Sequence, residues 1–299
     1  MNVHRIAHDG ESPEGVNSTY VLPDRGVVVD PGPPGERTWR TLRNGLDVPL
    51  DAIEHVLLTH WHVDHAGLAI RLAEAAGASV HCHEADAPLV GEYAREREQR
   101  LARNERAMER WGVPPGRIET VIEGDEPSPL PPTYPVRAHG HGEAIADVEL
   151  LHTPGHTLGH AAFRAGSALF VGDAVLGTYT PNVGGSDTRV EHPLGTYRTT
   201  LKRLRGYDGT TYPGHGGQLD HTERIAAILT HHDRRSVAVR SALDDRESAT
   251  PWDVATALFG ELRGVHVKMG AGEAAAHLEA LASRGRIQQV GSAPLRYGP

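Results

Sequence analysis

The order of apolar and polar positions along the chain predicts an α/β protein. Short apolar runs, such as 27–29 and 53–58, end at Gly, Pro or polar residues, which is typical of buried strands that stop at loops. Apolar positions then recur with helical spacing from Asp64 until Gly77. Near the N-terminus, the dipeptides Asp9-Gly10 and Ser12-Pro13 predict turns between edge strands.

The pattern changes at residue 220, where helices and a short ribbon replace the mixed elements. Thr250-Pro251 places Pro at the first position of a helix. Three helices and a ribbon suggest a winged-helix-like module. We therefore divide the chain into a large domain at 1–219, with a helical and Pro-rich insertion at 84–147, and a small domain at 220–299. The elements expected in the small domain are helices up to about Leu243, from 251 to near Gly260 and over 273–284, and a ribbon over 287–290 and 295–297.

Composition limits the class of protein. The 299 residues have 38% hydrophobic content, which suffices for a large domain and a small one. No apolar run approaches the roughly 20 residues of a spanning helix, and the first residues lack the features of a signal peptide. We therefore expect a cytoplasmic protein with no membrane partner. The net charge of -9 argues against a generally basic nucleic-acid binder.

Cys82 is the only cysteine, so no intrachain disulfide can form and any metal must be held by nitrogen and oxygen. It lies between His81 and His83 on a predicted strand, where alternation puts the two histidines on one face and Cys82 on the other. We read Cys82 as a small core residue. Most of the 20 histidines have no partner at ligand spacing. Those expected at the surface include His4, His8, His55, His231 and His232.

The segment 59–65 packs three imidazoles and a carboxylate next to an apolar strand. Such groups are the ligand types of zinc and related divalent metals. His60 and His62 are two apart in extended chain and point the same way, whereas Asp64 and His65 lie at the start of a helix. The segment therefore predicts two binding clusters rather than one.

Three more ligand-type side chains follow apolar strands at turns rich in Gly or Pro, and they are His156, Asp173 and His215. A strand end can hold such a side chain rigidly. Asp30 also ends a strand, and two interpretations stay open for it: a partner of a metal-bound imidazole, or a turn cap. We assign His160 a supporting or structural role.

In their order along the chain, these residues resemble the metal-binding motifs of the metallo-β-lactamase fold superfamily, without a substitution at any ligand position. The resemblance covers roughly residues 1–219 and implies an αββα sandwich with the metals in a groove at one edge. It implies that one metal is held by His60, His62 and His156, the second by Asp64, His65 and His215, and that Asp173 bridges them. The metals implied are two divalent ions, Zn in the first place, with Fe or Mn as alternatives.

Asp173 stands where typical zinc β-lactamases have a cysteine or serine, so the chain looks more like the glyoxalase II, lactonase and nuclease branches. Two divalent ions about 3.5 to 4 Å apart can share a hydroxide that exists at neutral pH. We expect this hydroxide to attack the carbonyl of a thioester or ester, with Asp64 as the catalytic carboxylate. The alternatives are a metal-dependent endoribonuclease and a lactonase.

The order of the two domains is similar to that of the beta-lactamase-like protein 2 group, some members of which are ribonucleases. The third helix of the small domain has no basic stripe, which favours a packing or lid role over DNA binding. An Arg-rich helix is expected at 93–111, and its opposite charges three or four residues apart favour a helix exposed to solvent. The alternative is that its arginines bind a phosphate or carboxylate group of the substrate. The partner expected is a small-molecule or carrier-bound acyl substrate, with nucleic acid less favoured, and the oligomeric state is left open, a dimer included.

Overall fold

Two β-sheets form the framework of the protein. The computed structural model describes residues 2–8 and 15–299, so the turns expected at Asp9-Gly10 and Ser12-Pro13 lie outside the described residues. The strands of the first sheet are β1 (His4–His8), β2 (Asn17–Leu22), β3 (Val27–Val29), β4 (His55–Leu57), β5 (Ser79–His83) and β6 (Val136–His139). They lie in chain order, antiparallel from β1 to β3 and parallel from β3 to β6.

The strands of the second sheet are β7 (Ala144–Ile145), β8 (Val148–His152), β9 (Ala161–Ala165), β10 (Ala168–Gly172) and β11 (Thr210–Pro213). Their order is β11-β10-β9-β8-β7, and only β10 and β11 are parallel. The helices are α1 (Glu36–Gly45), α2 (Val63–Ala66), α3 (Ala69–Ala76), α4 (Ala87–Gly91), α5 (Tyr93–Arg110), α6 (Pro115–Glu123), α7 (Pro193–Leu204), α8 (His221–Ser241), α9 (Pro251–Phe259) and α10 (Val265–Ala282). A ribbon of β12 (Gln288–Ser292) and β13 (Leu295–Gly298) follows α10.

The three valines of β3 show how the layers are built. Successive side chains on a strand point to opposite faces. Val28 therefore packs into a cluster that contains helix residues such as Leu42, while Val27 and Val29 pack toward Phe163 of the second sheet. Both faces of the first sheet are covered, which explains why its central strand is a continuous apolar run. The α/β class and the sandwich arrangement predicted from the sequence are confirmed.

The chain divides into two compact units. The first comprises 1–97, 128–181 and 200–225, and the second comprises 98–127, 182–199 and 226–299. The second unit thus combines most of the predicted small domain with two segments from the preceding part of the chain. The boundary after residue 219 stays a prediction.

The second unit has its own apolar clusters. One joins α8, α9, α10 and the ribbon through residues such as Leu243, Val254 and Leu278. Thr250 caps α9, since its side chain accepts from the Asp253 backbone and the Asp253 carboxylate accepts from the Thr250 backbone. In the described part of the chain, no helix is long and apolar enough to cross a membrane.

Helix α10 begins at Val265, whereas the sequence pattern placed its start at residue 273. The pattern stopped short because Gly270 and Gly272 resemble helix breakers. The structure uses Gly272 for close packing, since a Cβ at this position would lie 2.5 Å from Gly185 Cα. Glycine destabilises a helix relative to alanine, but a larger residue at this position would displace the neighbouring loop.

We expect Phe163→Ala to lower the free energy of unfolding by about 3 to 5 kcal/mol, because this ring is fully buried between the sheets. Urea unfolding followed by circular dichroism measures the change. Val237→Ala is the control, since Val237 is 67% exposed and a surface change is expected to stay within about 0.5 kcal/mol. Equal effects of the two substitutions would contradict the packing described here.

Candidate metal centre

The segment predicted to carry two clusters does change conformation in its middle. It leaves β4 as extended chain through His60 and His62, and α2 begins at Val63. The backbone N–H groups of His65 and Ala66 donate to the carbonyl of His62. This turn places Asp64 and His65 at the start of α2, where the ring centroid of His65 lies 4.3 Å from that of His60.

The seven predicted ligands come together at the ends of strands. His156 follows β8, Asp173 follows β10 and His215 follows β11. These residues form three groups, and within each group the ligand atoms lie within 4.8 Å of one another. The groups are His60, His62 and His156; His60, His65 and Asp173; and Asp64, His65 and His215. The first and third groups coincide with the two predicted clusters, and the assignment of each to a metal ion stays a prediction.

In the first cluster, ring nitrogens face one another. His62 Nδ1 lies 3.0 Å from His60 Nε2 and 3.1 Å from His156 Nε2. The Thr59 hydroxyl donates to Asp30 at 2.7 Å, so its oxygen is left to accept from His60 Nδ1–H at 3.0 Å. The Nε2 lone pair of His60 therefore points into the cluster.

In the second cluster, each histidine likewise donates a hydrogen bond from the ring nitrogen that points away from the cluster. His65 Nδ1–H donates to Asp30 Oδ2 at 2.9 Å, and His215 Nδ1–H donates to the carbonyl of Gly15 at 3.2 Å. Their Nε2 atoms lie 3.4 and 3.3 Å from Asp64 Oδ2. Such partners of the outward nitrogen fix the tautomer and the ring orientation.

Asp173 reaches both clusters. Its carboxylate lies 3.3 Å from His65 Nε2, 3.5 Å from His215 Nε2 and 3.8 Å from His156 Nε2. Gly214 permits this approach, since a Cβ there would lie 2.4 Å from Asp173 Oδ1 and 2.6 Å from His65 Cε1. The glycine after β11 is thus required for the convergence of the ligands.

The protonation states differ between the clusters. Burial lowers the pKa of His60 well below its usual value and that of His62 to about 3, so both rings are neutral at physiological pH. Burial alone would also lower the pKa of His215, but the close carboxylates of Asp173 and Asp64 raise it to about 10. For His65, burial is outweighed by the charges of Asp173, Asp64 and Asp30 together, and the pKa lies well above its usual value.

The two carboxylates behave in the opposite sense. Burial raises their pKa values, but the charge of His65 and the close contacts with His215 and His65 together hold both well below the usual range. Both carboxylates are therefore ionised and available as ligands.

Buried polar atoms without hydrogen-bond partners indicate that these residues are suited to bind a metal. His65 Nε2, His215 Nε2 and Asp173 Oδ1 are fully buried and have no hydrogen-bond partner among the described residues. Buried polar atoms without partners are costly. All three point into the clusters, and imidazole with carboxylate suits zinc, iron or manganese. The residues present fit a pair of divalent ions.

Asn17 is a supporting residue that the sequence pattern did not reveal. Its side-chain amide donates to Asp64 Oδ2 at 3.1 Å and to the backbone carbonyl of Asp64 at 3.2 Å. The residues are 47 positions apart, so no local motif connects them. Asn17 orients the Asp64 carboxylate through a neutral donor, which leaves the negative charge available to a metal.

Two other supporting residues were partly anticipated. His160 is fully buried, and its Nε2 accepts from the backbone N–H of Asp173 at 3.1 Å. Its Nδ1 lies 2.8 Å from Thr153 Oγ1. Of the two interpretations left open for Asp30, the structure supports the imidazole partner, since its side chain contacts His65 and Thr59.

Of the five histidines named above as surface residues, two are buried, so the expectation is wrong for these two. His8 and His232 are 2% and 1% exposed. His8 Nε2 lies 2.7 Å from Thr19 Oγ1, and His232 Nδ1 lies 3.3 Å from His277 Nε2. Spacing along the sequence did not reveal these partners because they come from other elements. Cys82 is buried in the core, as expected.

A two-layered sheet sandwich with histidine and aspartate clusters at its strand ends defines a class of metal-dependent hydrolases. Residues 12–215 match the sequence profile of the Metallo-beta-lactamase superfamily, and the chain belongs to this superfamily. Its members are metal-dependent hydrolases that typically bind divalent metals.

The chain is similar to several known proteins. It is 25% identical to the beta-lactamase-like protein 2 homolog of Caenorhabditis elegans, over 83% of this chain and 72% of that protein. It is 27% identical to an atrochrysone carboxyl ACP thioesterase of Pseudocercospora fijiensis, over 83% of this chain and 63% of that protein, which is less than two thirds of its length. A solved metallo-beta-lactamase family protein from Thermus thermophilus has 28% identity and a TM-score of 0.79, covering 99% of this chain and 98% of the other.

We expect Asn17→Ala to weaken metal binding at the second cluster by about 10 to 100 fold, the usual effect of losing a partner of a ligand. Titration with Co²⁺, followed by its visible absorption, should show a weaker second binding step and an unchanged first step. Thr211→Val is the control, because it removes a buried hydrogen bond to His221 that touches no ligand. An equal weakening of both steps, or of neither, would contradict the role given to Asn17.

Proposed function

We propose that this protein is a dinuclear metal-dependent hydrolase that cleaves a thioester or ester. The observation that carries the proposal is the placement of Asp173 between two clusters of ligands, within 3.8 Å of histidines from both. Divalent ions bound there would lower the pKa of a water molecule and polarise the substrate carbonyl. In this proposal His60, His62 and His156 hold one ion, Asp64, His65 and His215 hold the other, and Asp173 bridges them.

The other residues of the site act by orientation. Asp30, Thr59 and the carbonyl of Gly15 keep the outward nitrogens of the histidines engaged, so the inward lone pairs stay fixed before substrate arrives. No serine or cysteine nucleophile is required.

Asp64 is the carboxylate best placed to handle a proton. Its side chain is 36% exposed, whereas that of Asp173 is 7% exposed. An accessible carboxylate can exchange a proton directly with substrate or solvent, whereas the Asp173 carboxylate is enclosed by protein. We therefore assign Asp64 the catalytic role in addition to its role as a ligand.

Two features support an acyl substrate over a nucleic acid. The fungal relative is a thioesterase acting on an acyl group held by a carrier protein, according to its name. The net charge of -9 opposes the broad phosphate contacts that dominate nucleic-acid binding. A carrier-bound or small-molecule acyl thioester is thus the favoured substrate, with a lactone or single-stranded RNA as the competing candidates.

We expect purified protein to hold about two metal ions per chain, as measured by inductively coupled plasma mass spectrometry. Asp173→Ala and His62→Ala should each lower hydrolysis by more than the 10 to 100 fold that a change around the ligands costs. Their far-UV circular dichroism spectra should match the wild type. Preparations that retain one ion or none after gentle purification would contradict the dinuclear arrangement.

We expect Asp64→Asn to abolish hydrolysis of an acyl thioester in a panel that also contains a lactone and single-stranded RNA. The amide keeps the size of the side chain but can neither accept a proton nor provide the charge. Arg234→Gln, an exposed position, is the control for a charge change. Thioester activity that survives in Asp64→Asn, or wild-type activity on RNA alone, would overturn the proposal.

A further inference from the structure

A buried lysine in the second unit is not used by the metal centre. The chain has only two lysines, Lys202 and Lys268. Lys202 is exposed, whereas Lys268 on α10 is only 7% exposed. Lysine is almost never buried to this degree unless it is paired. Among the described residues, Lys268 has no hydrogen bond and no ion pair.

The two carboxylates that attract the Lys268 ammonium are each already paired with an arginine. Asp187 and Asp125 attract Lys268, and Arg100 repels it. The guanidinium of Arg189 contacts both oxygens of Asp187 at 2.6 to 3.1 Å. The guanidinium of Arg100 contacts both oxygens of Asp125 at 2.8 and 3.0 Å.

The group therefore has an excess of positive charge. These five side chains are three cations, Lys268, Arg100 and Arg189, and two carboxylates, and each carboxylate is held by an arginine in a two-point contact. Such two-point pairs are strong and geometrically specific. Burial lowers the pKa of Lys268 to about 8, which agrees with an ammonium that lacks a counter-ion.

The loop that carries Asp187 is held against α10 beside Lys268 by hydrogen bonds and by close packing. The side chain of Asn182 donates to the carbonyl of Met269, next to Lys268, and accepts from the backbone of Gly185. A Cβ on Gly185 would lie 2.5 Å from Met269 Cα. The loop that carries Asp187 is thus pinned against α10.

We propose that Lys268 binds a small oxyanion, a carboxylate or a phosphate, within the second unit. An anion would provide the missing charge and hydrogen-bond acceptors, and burial would strengthen the pairing. This site does not depend on the metal centre or on the reaction proposed above. Its ligand is a free anion or the anionic group of a larger molecule.

Lysine-selective ¹³C labelling tests the proposal in the intact protein, because only two lysines contribute signals. Lys202→Arg assigns them. Sodium phosphate and sodium acetate are added separately, with ionic strength held constant by sodium chloride. We expect the Lys268 Cε signal to shift and saturate with one or both anions, while the Lys202 signal does not. A phosphate-only or an acetate-only response identifies the class, and no saturable shift of Lys268 with either overturns the proposal.

Thermal unfolding provides a second readout. We expect the binding anion to raise the Tm of the wild type and to leave that of Lys268→Met unchanged. Without the anion, Lys268→Met should melt above the wild type, because it removes an unpaired buried charge. Lys202→Met should alter neither quantity. A rise in Tm with the anion that persists in Lys268→Met would overturn the proposal. If this variant does not fold, Lys268→Gln replaces it. The NMR signal of Lys268 in the wild type then still decides between the two outcomes.

Discussion

The carboxylate of Asp30 is the group on which both metal-ligand clusters depend. One oxygen accepts from the backbone N–H of Thr59 at 2.8 Å, and the other accepts from Thr59 Oγ1 at 2.7 Å and His65 Nδ1 at 2.9 Å. Through Thr59 it sets the orientation of His60, and by direct contact it sets that of His65. A single buried carboxylate thus determines which nitrogen is presented by one histidine of each cluster, His60 and His65.

The fold holds Asp30 firmly for this task. Its backbone N–H donates to Leu57 of the neighbouring strand, and its carbonyl accepts from Thr19 Oγ1 at 2.6 Å. Its φ of 49° is in the left-handed region, which a non-glycine residue adopts at a cost. Contacts on two strands compensate for that cost, and the carboxylate points toward the ligands because the chain turns at the end of β3.

The sequence pattern predicted that seven histidine and aspartate side chains lie close together, and the structure brings them together, while their role as metal ligands stays a prediction. Strand periodicity placed His60 with His62, and the change to helical spacing separated Asp64 and His65 from them. Asn17 could not be predicted, because its contact with Asp64 joins residues far apart in the chain. Helix α10 is longer than the range expected from the sequence, and its additional N-terminal part contains Gly272, a residue that disfavours helices but serves close packing here. Local patterns therefore specify which groups are available, and tertiary packing specifies which groups support them.

A second group of histidines shows what distinguishes a metal cluster from a cluster of imidazoles. His55 Nδ1 lies 3.1 Å from His81 Nε2, His81 Nδ1 lies 2.9 Å from His139 Nε2, and His139 Nδ1 lies 2.9 Å from Glu143 Oε2. In this row each contact joins one donor to one acceptor, so three rings and a carboxylate satisfy one another from end to end. At the strand ends, the outward nitrogens of His60, His65 and His215 are satisfied by the protein instead, and the inward nitrogens converge on each other and on Asp64 and Asp173. The number of histidines does not separate the two cases; the direction of their lone pairs does, and at the strand ends that direction leaves a cation as the group that can satisfy them all.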